Sequence, residues 1–206
     1  MISRLQDRGL TVVSVQLPLT SLAEDVAAVE RAIALHGGPL VLVGHSWGGA
    51  VITQAGTHER VAALVYVSAF APDIGESVVD LQGRYAPPAY AKLMISDSAG
   101  FLWFPQSAFG EYVAQDIPRI NWKVVAAAQK PIRATAFLDK LSEAAWRGKP
   151  SSFLIADADR MIDPVLQRAM ADHAKGRVTI VHSSHVPFAS RPKETTAIIL
   201  EAVDHV

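Results

Sequence analysis

The sequence predicts an α/β fold, a mostly parallel sheet with helices on both faces and a helical insertion interrupting it. Three observations carry this. Short apolar runs alternate with amphipathic ones near both ends of the chain. The apolar runs are continuous, as strands covered on both faces require. One of them breaks at Gly44-His45-Ser46-Trp47-Gly48 just before a helical pattern begins.

Taken in order, residues 11–16, "TVVSVQ", are β-branched and read as a strand. "TSLAEDVAAVERAIALHGG" then carries a Ser21-x-x-Glu24 capping box, a helical apolar spacing and a Gly37-Gly38 stop. A strand over 40–44, a helix over 47–57 and a strand over 62–68 follow. After an interval come a strand over 152–156, a helix over 164–174, a strand over 178–182 and a helix over 192–203. The interval is roughly eighty residues, against ordinary connections of about 2–6, so it must have structure of its own. Its segments "PPAYAKLM", "SAFGEYVAQDI", "NWKVVAAAQK" and "PIRATAFLDKL" read as short helices divided by Pro, Gly and Asp. The expected division is a core of 1–71 and 149–206 with a helical cap of 72–148.

Composition narrows the function. With 206 residues, 50% of them hydrophobic, the chain suits one well-buried domain. A net charge of -1 without runs of like charge offers no footprint for nucleic acid or an anionic membrane surface. The chain has no cysteine, which removes disulfides, thiolate metal sites and cysteine nucleophiles. No apolar run has membrane-spanning length and the N-terminus has no signal-peptide core, so the expected location is cytoplasmic.

Ser46, at a sharp strand-to-helix turn, is the candidate nucleophile, and the helix that begins at Trp47 points its positive end at a developing oxyanion. Glycines two residues to either side remove side chains that would collide there. The alternative is a glycine-rich turn with an incidental serine; a phosphate loop is disfavoured because no Gly-Lys-Ser/Thr follows. For the base, His185 in "SSHVP" follows the last strand at the carboxyl edge of the sheet, where open parallel sheets place their sites, with His182 as its rival. His45 should point away from the serine hydroxyl. For the acid, "ADADRMIDP" offers Asp159, with Asp157 and Asp73 in reserve; Asp163 is explained as a helix N-cap before Pro164. The chain order Ser46, Asp159, His185 is that of nucleophile-elbow enzymes.

The sequence resembles the α/β-hydrolases, and more narrowly the small serine-esterase branch related to plant hydroxynitrile lyases. "GHSWGG", "YVSAFAPDIGES", "ADRMI" and "SSHVP" carry the resemblance along the whole chain. It implies hydrolysis of a small apolar ester through an acyl-enzyme by Ser46, His185 and Asp159, without metal or organic cofactor, with a homodimer as the candidate assembly. Two other classes fit the same residues: a truncated relative that is weakly active or non-catalytic, and a cofactor-free lyase. Cyanohydrin lyases of this branch carry lysine directly after the catalytic histidine, whereas this chain has Val186. In the family a central strand ending in an "HG" loop precedes the helix that "ISRLQDRG" represents, and that loop gives one of two oxyanion N–H groups. It is missing here, which leaves the Trp47 N–H as the recognisable donor and implies a gap in the sheet between 11–16 and 40–44. An upstream continuation of the chain is the expected explanation. Tyr85, Tyr90, Phe101, Trp103, Phe104, Trp122 and Trp146 are the aromatics from which the cap would fill its own core or line a pocket.

Overall fold

A computed structural model describes the backbone of residues 1–206 and the side chains of all but 119–121. Helix α1 (Ile2–Gln6) is followed by an extended segment and α2 (Leu22–Leu35). Strand β1 (Leu40–Ser46), helix α3 (Gly48–Ala55) and strand β2 (Val61–Ala69) come next. The 72–148 interval holds α4 (Val78–Gln82), β3 (Ile95–Ser96), β4 (Phe101–Trp103), α5 (Gln106–Tyr112), α6 (Arg119–Ala127) and β5 (Ile132–Arg133). The chain ends with β6 (Ser151–Ala156), α7 (Pro164–His173), β7 (Arg177–Val181), α8 (Pro187–Ser190) and α9 (Pro192–Asp204).

Four parallel strands form the main sheet in the order β1-β2-β6-β7. The residues of β2 divide between its two faces. Leu64 and Tyr66 join Val29, Ile33, Val51 and Leu166 from α2, α3 and α7, whereas Val65 and Val67 join Leu5, Ile198 and Ile199 from α1 and α9. Covering both faces is why the strand reads as a continuous apolar run. Tyr66 stacks on Phe153 at 4.5 Å, and its buried hydroxyl meets Thr53 at 2.9 Å, so neither polar tip is stranded. Among the described residues no helix is long and apolar enough to cross a membrane.

Three expectations need correction. Residues 11–16 form no strand. They alternate as a strand would, Val12 packing on the α9 face and Val15 and Leu17 on the other, but among the described residues no strand lies along that side of β1 to complete a ladder. The capping box at α2 is half formed: the Ser21 hydroxyl accepts from Glu24 N–H at 3.2 Å, while the Glu24 carboxylate accepts from the Thr20 hydroxyl instead. The 72–148 interval is not purely helical. "PPAYAKLM" gives only a 3-10 turn, and β3, β4 and β5 pair as a small antiparallel sheet whose hairpin turn is held by Asp97, which accepts from the N–H groups of Ala99 and Phe101 at 2.9 Å.

Candidate active site

Ser46 closes β1 with φ +53°, a left-handed conformation that strands and helices avoid and that turns the chain sharply into α3. The turn is held from the residue just after β2, where Phe70 N–H donates to Ser46 O at 3.1 Å. Gly44 is required because a Cβ there would lie 2.6 Å from Gly48 O. On the helix side the crowded glycine is Gly49, whose Cβ would lie 2.2 Å from Phe70 O, whereas one on Gly48 would meet nothing within 4 Å. The expected pair of relieving glycines, Gly44 and Gly48, is therefore corrected to Gly44 and Gly49. Trp47 caps the N-terminal end of α3, and its indole N–H donates to Asp25 at 2.7 Å. Asp25 is fully buried and also accepts from Leu19 N–H at 2.7 Å. Burial pushes its carboxyl pKa up in spite of both donors.

The structure brings Asp159 and His185 together below the surface, with Asp159 Oδ2 at 2.8 Å from His185 Nδ1. A carboxylate partner puts the ring proton on Nδ1 and leaves Nε2 as an acceptor. The acid is also held by the N–H groups of Met161 and Ile162 on Oδ1, at 2.7 and 3.1 Å, and by Gln167 Nε2 on Oδ2 at 2.8 Å. Such saturation fixes the carboxylate and keeps a buried charge satisfied. His45 does not stand apart from this arrangement. Its Nε2 donates to His185 O at 2.7 Å, and the two rings lie 4.6 Å apart. Burial lowers the His45 pKa to about 3, so this ring is a neutral donor near pH 7. Ser46 Oγ itself makes no hydrogen bond among the described residues; the elbow meets the histidine loop through His45.

The rivals are engaged elsewhere. His182 pairs with Asp157 at 2.8 Å on the surface. Asp73 takes a bidentate contact from Arg147 at 2.8 and 2.7 Å and one from His173 at 2.9 Å, and the guanidinium holds its carboxyl well below the usual range. Asp163 caps α7 by accepting from Val165 N–H at 2.8 Å. The aromatics of the interval divide. Tyr90, Phe104 and Trp122 pack with Met161, Val186 and Phe188 beside the two site loops. Trp146 is a buried anchor donating to Pro72 O, Tyr85 packs against the main core, Phe101 lies under Arg133, and Trp103 is exposed. A cleft of about 330 Å³ runs beside the acid loop, between Tyr85–Ala89 and Asp159–Pro164.

Sequence reasoning missed Gln167, Asp25 and the contact made by His45. A glutamine inside an amphipathic helix and an aspartate in a helix's first turn have ordinary surface explanations, and only tertiary packing shows that both are buried.

Residues 2–198 match the model of the alpha/beta hydrolase family. The chain belongs to that family. It is 26% identical over 224 residues to the alpha/beta hydrolase nvfD of Aspergillus novofumigatus, covering 98% of this chain and 89% of the relative. It is 45% identical over 93 residues to a carbendazim hydrolyzing esterase of a Nocardioides strain, covering 42% of this chain and 35% of that protein. Its fold is similar to the crystal structure of a pyrethroid hydrolase from Sphingobium faniae, with a TM-score of 0.86 at 21% identity over 98% of this chain and 90% of the other.

Proposed function

We propose that this hydrolase cleaves a small carboxylic ester through an acyl-enzyme, with Ser46 as nucleophile, His185 as base and Asp159 as acid. The observation that carries the reading is the buried Asp159–His185 pair at 2.8 Å, tied by His45 to a serine in left-handed geometry. His185 Nε2 takes the Ser46 proton as Oγ attacks the ester carbonyl, and Asp159 stabilises the imidazolium that forms. A positioned base of this kind contributes about 10²–10⁴-fold. The Trp47 N–H donates to the oxyanion, and each such donor contributes about 10²–10³-fold. The imidazolium then returns its proton to the departing alcohol. Water, activated by the same ring, attacks the acyl carbonyl and releases the acid and free Ser46.

Related proteins named for ester and pyrethroid hydrolysis support an ester substrate. Tyr90, Phe104, Trp122 and Val186 pack together beside the acid and histidine loops, surroundings that suit an apolar acyl or alcohol group. Val186 is 4% exposed within that cluster, an environment hostile to a cation at this position, which speaks against a lyase that depends on one.

A fluorophosphonate probe tests the reading, because it labels an activated serine without the natural substrate. One adduct by intact mass on the wild type and none on Ser46→Ala is expected. A folded wild type that takes no adduct refutes it, and an adduct that persists on the variant identifies another nucleophile.

A further inference from the structure

We propose that Gln115 and Asp116 form a two-residue latch through which the 72–148 interval sets the positions of Asp159 and His185. The proposal rests on the reading of those residues as acid and base. Gln115 Nε2 donates to Ala158 O at 2.6 Å, and Asp116 Oδ2 accepts from Ser184 N–H at 2.9 Å. Ala158 and Ser184 are the residues immediately before Asp159 and His185. Adjacent residues of one turn thus hold the backbone just ahead of both members of the pair. The two held loops also meet each other there, since Ala158 N–H donates to Ser183 O at 3.2 Å.

The turn is well placed to impose a position. It lies between α5 and α6, and its first residues, Val113 and Ala114, are buried with Phe104, Phe109 and Val186. Ala114 N–H and Ile117 N–H donate to Phe109 O and Ala114 O, at 3.1 and 3.3 Å, so the latch is mounted on a hydrogen-bonded turn. Partial burial pushes the Asp116 carboxyl up, but the hydroxyl and N–H of Ser184 and the Ser190 hydroxyl outweigh it and hold it below the usual carboxylate range. It is therefore an ionised acceptor near neutral pH. Ser184 is 0% exposed whereas Asp116 is exposed, so truncating Asp116 hands the Ser184 N–H to water, a mobile acceptor in place of a fixed carboxylate. The loop then loses the anchor on the residue just before the imidazole. A second tether, Arg160 Nη1 to Glu111 O at 3.0 Å, ties the far side of the acid loop to α5. Gln115 and Asp116 are positioning residues, since neither touches the Asp159 or His185 side chain.

The test compares kinetics with the state of the imidazole. With p-nitrophenyl acetate as probe, Asp116→Ala and Gln115→Ala are each expected to lower kcat about 10-fold with KM changed by less than about 2-fold, the signature of misplacement rather than lost binding. Asp116→Asn keeps a carbonyl acceptor for Ser184 N–H and should restore kcat to within about 3-fold of wild type. Long-range proton–nitrogen spectra of the His185 ring should show the Nδ1–H tautomer in the wild type and a growing Nε2–H form in the alanine variants. The latch is overturned if the folded alanine variants keep the wild-type kcat and tautomer, or if activity falls only with the folded fraction. A wild type that takes no fluorophosphonate adduct refutes the hydrolase reading instead, and the tautomer comparison then decides the latch alone.

Discussion

Gly48→Ala and Gly49→Ala, two neighbouring substitutions at the elbow, should act in opposite directions. At Gly49 the added methyl would lie 2.2 Å from Phe70 O and 2.8 Å from Ala69 Cβ. The first neighbour is backbone of the segment leaving β2 and cannot rotate away, so α3 must separate from the sheet by more than 1 Å to reach an ordinary contact of about 3.4 Å. Overpacking costs about 1–3 kcal/mol where side chains can adjust, so about 3 kcal/mol or more is expected here. For a chain of this size that lowers Tm by at least about 6 °C. At Gly48 the methyl enters open space in a helix, where alanine is favoured over glycine by about 0.5–1 kcal/mol, so Tm should rise by about 1–4 °C. Thermal unfolding followed by circular dichroism in one buffer measures both. A Gly49→Ala protein that melts with the wild type, or a Gly48→Ala protein that melts well below it, would refute the steric argument.

Other variants probe the buried and half-buried carboxylates. Trp47→Phe removes one of two donors from buried Asp25 and should cost about 1–3 kcal/mol in urea unfolding at neutral pH. Because burial raises the Asp25 pKa above the ordinary carboxylate value, the folded state takes up the proton first, so this deficit should shrink as the pH falls toward the acid range. A deficit that does not change with pH would mean that the indole only fills space. Asp73→Asn removes a carboxylate whose pKa is depressed by Arg147 first, with His173 also contributing. Its stabilisation is present above the ordinary aspartate value of 3.8 and lost as the pH falls below it, so wild type and variant should differ by about 1–3 kcal/mol near neutrality and converge in acid. Divergence in acid would reverse the assigned sign.

Much of this was legible in the sequence where chemistry is local. Ser46 is marked by the glycines and the change of period around it, and Asp159 and His185 by their places just after apolar strands. The strands over 40–44, 62–68, 152–156 and 178–182 all lie within or within one residue of observed ones, because short apolar, β-branched runs mark them; β2 is covered on both faces, while the edge strands β1 and β7 leave Val43 and Ile180 exposed. Residues 11–16 show the limit: β-branching reports the preference for extension, but pairing depends on what lies alongside. The strands β3 and β5 are two residues each and β4 is three, too short for any periodicity to register. Gln167 and the Gln115–Asp116 turn escaped for a different reason, since their partners are 8, 43 and 68 residues away in the chain and nothing nearby marks them.

The strand order carries a consequence for how this chain can change length. Ser46 ends β1 at one edge of the sheet and His185 follows β7 at the other, with β2 and β6 between. The backbone of the final loop does not cross that width alone. Ser183 O accepts from Ala158 N–H beside β6, two residues before the imidazole, and the His45 ring reaches out from β1 to donate to His185 O at 2.7 Å. The span is closed from both edges, so the length of 182–185 is tied to a side chain as well as to the sheet. A residue added or removed there displaces the atom that His45 meets, and a loop of altered length keeps its place only when position 45 changes with it.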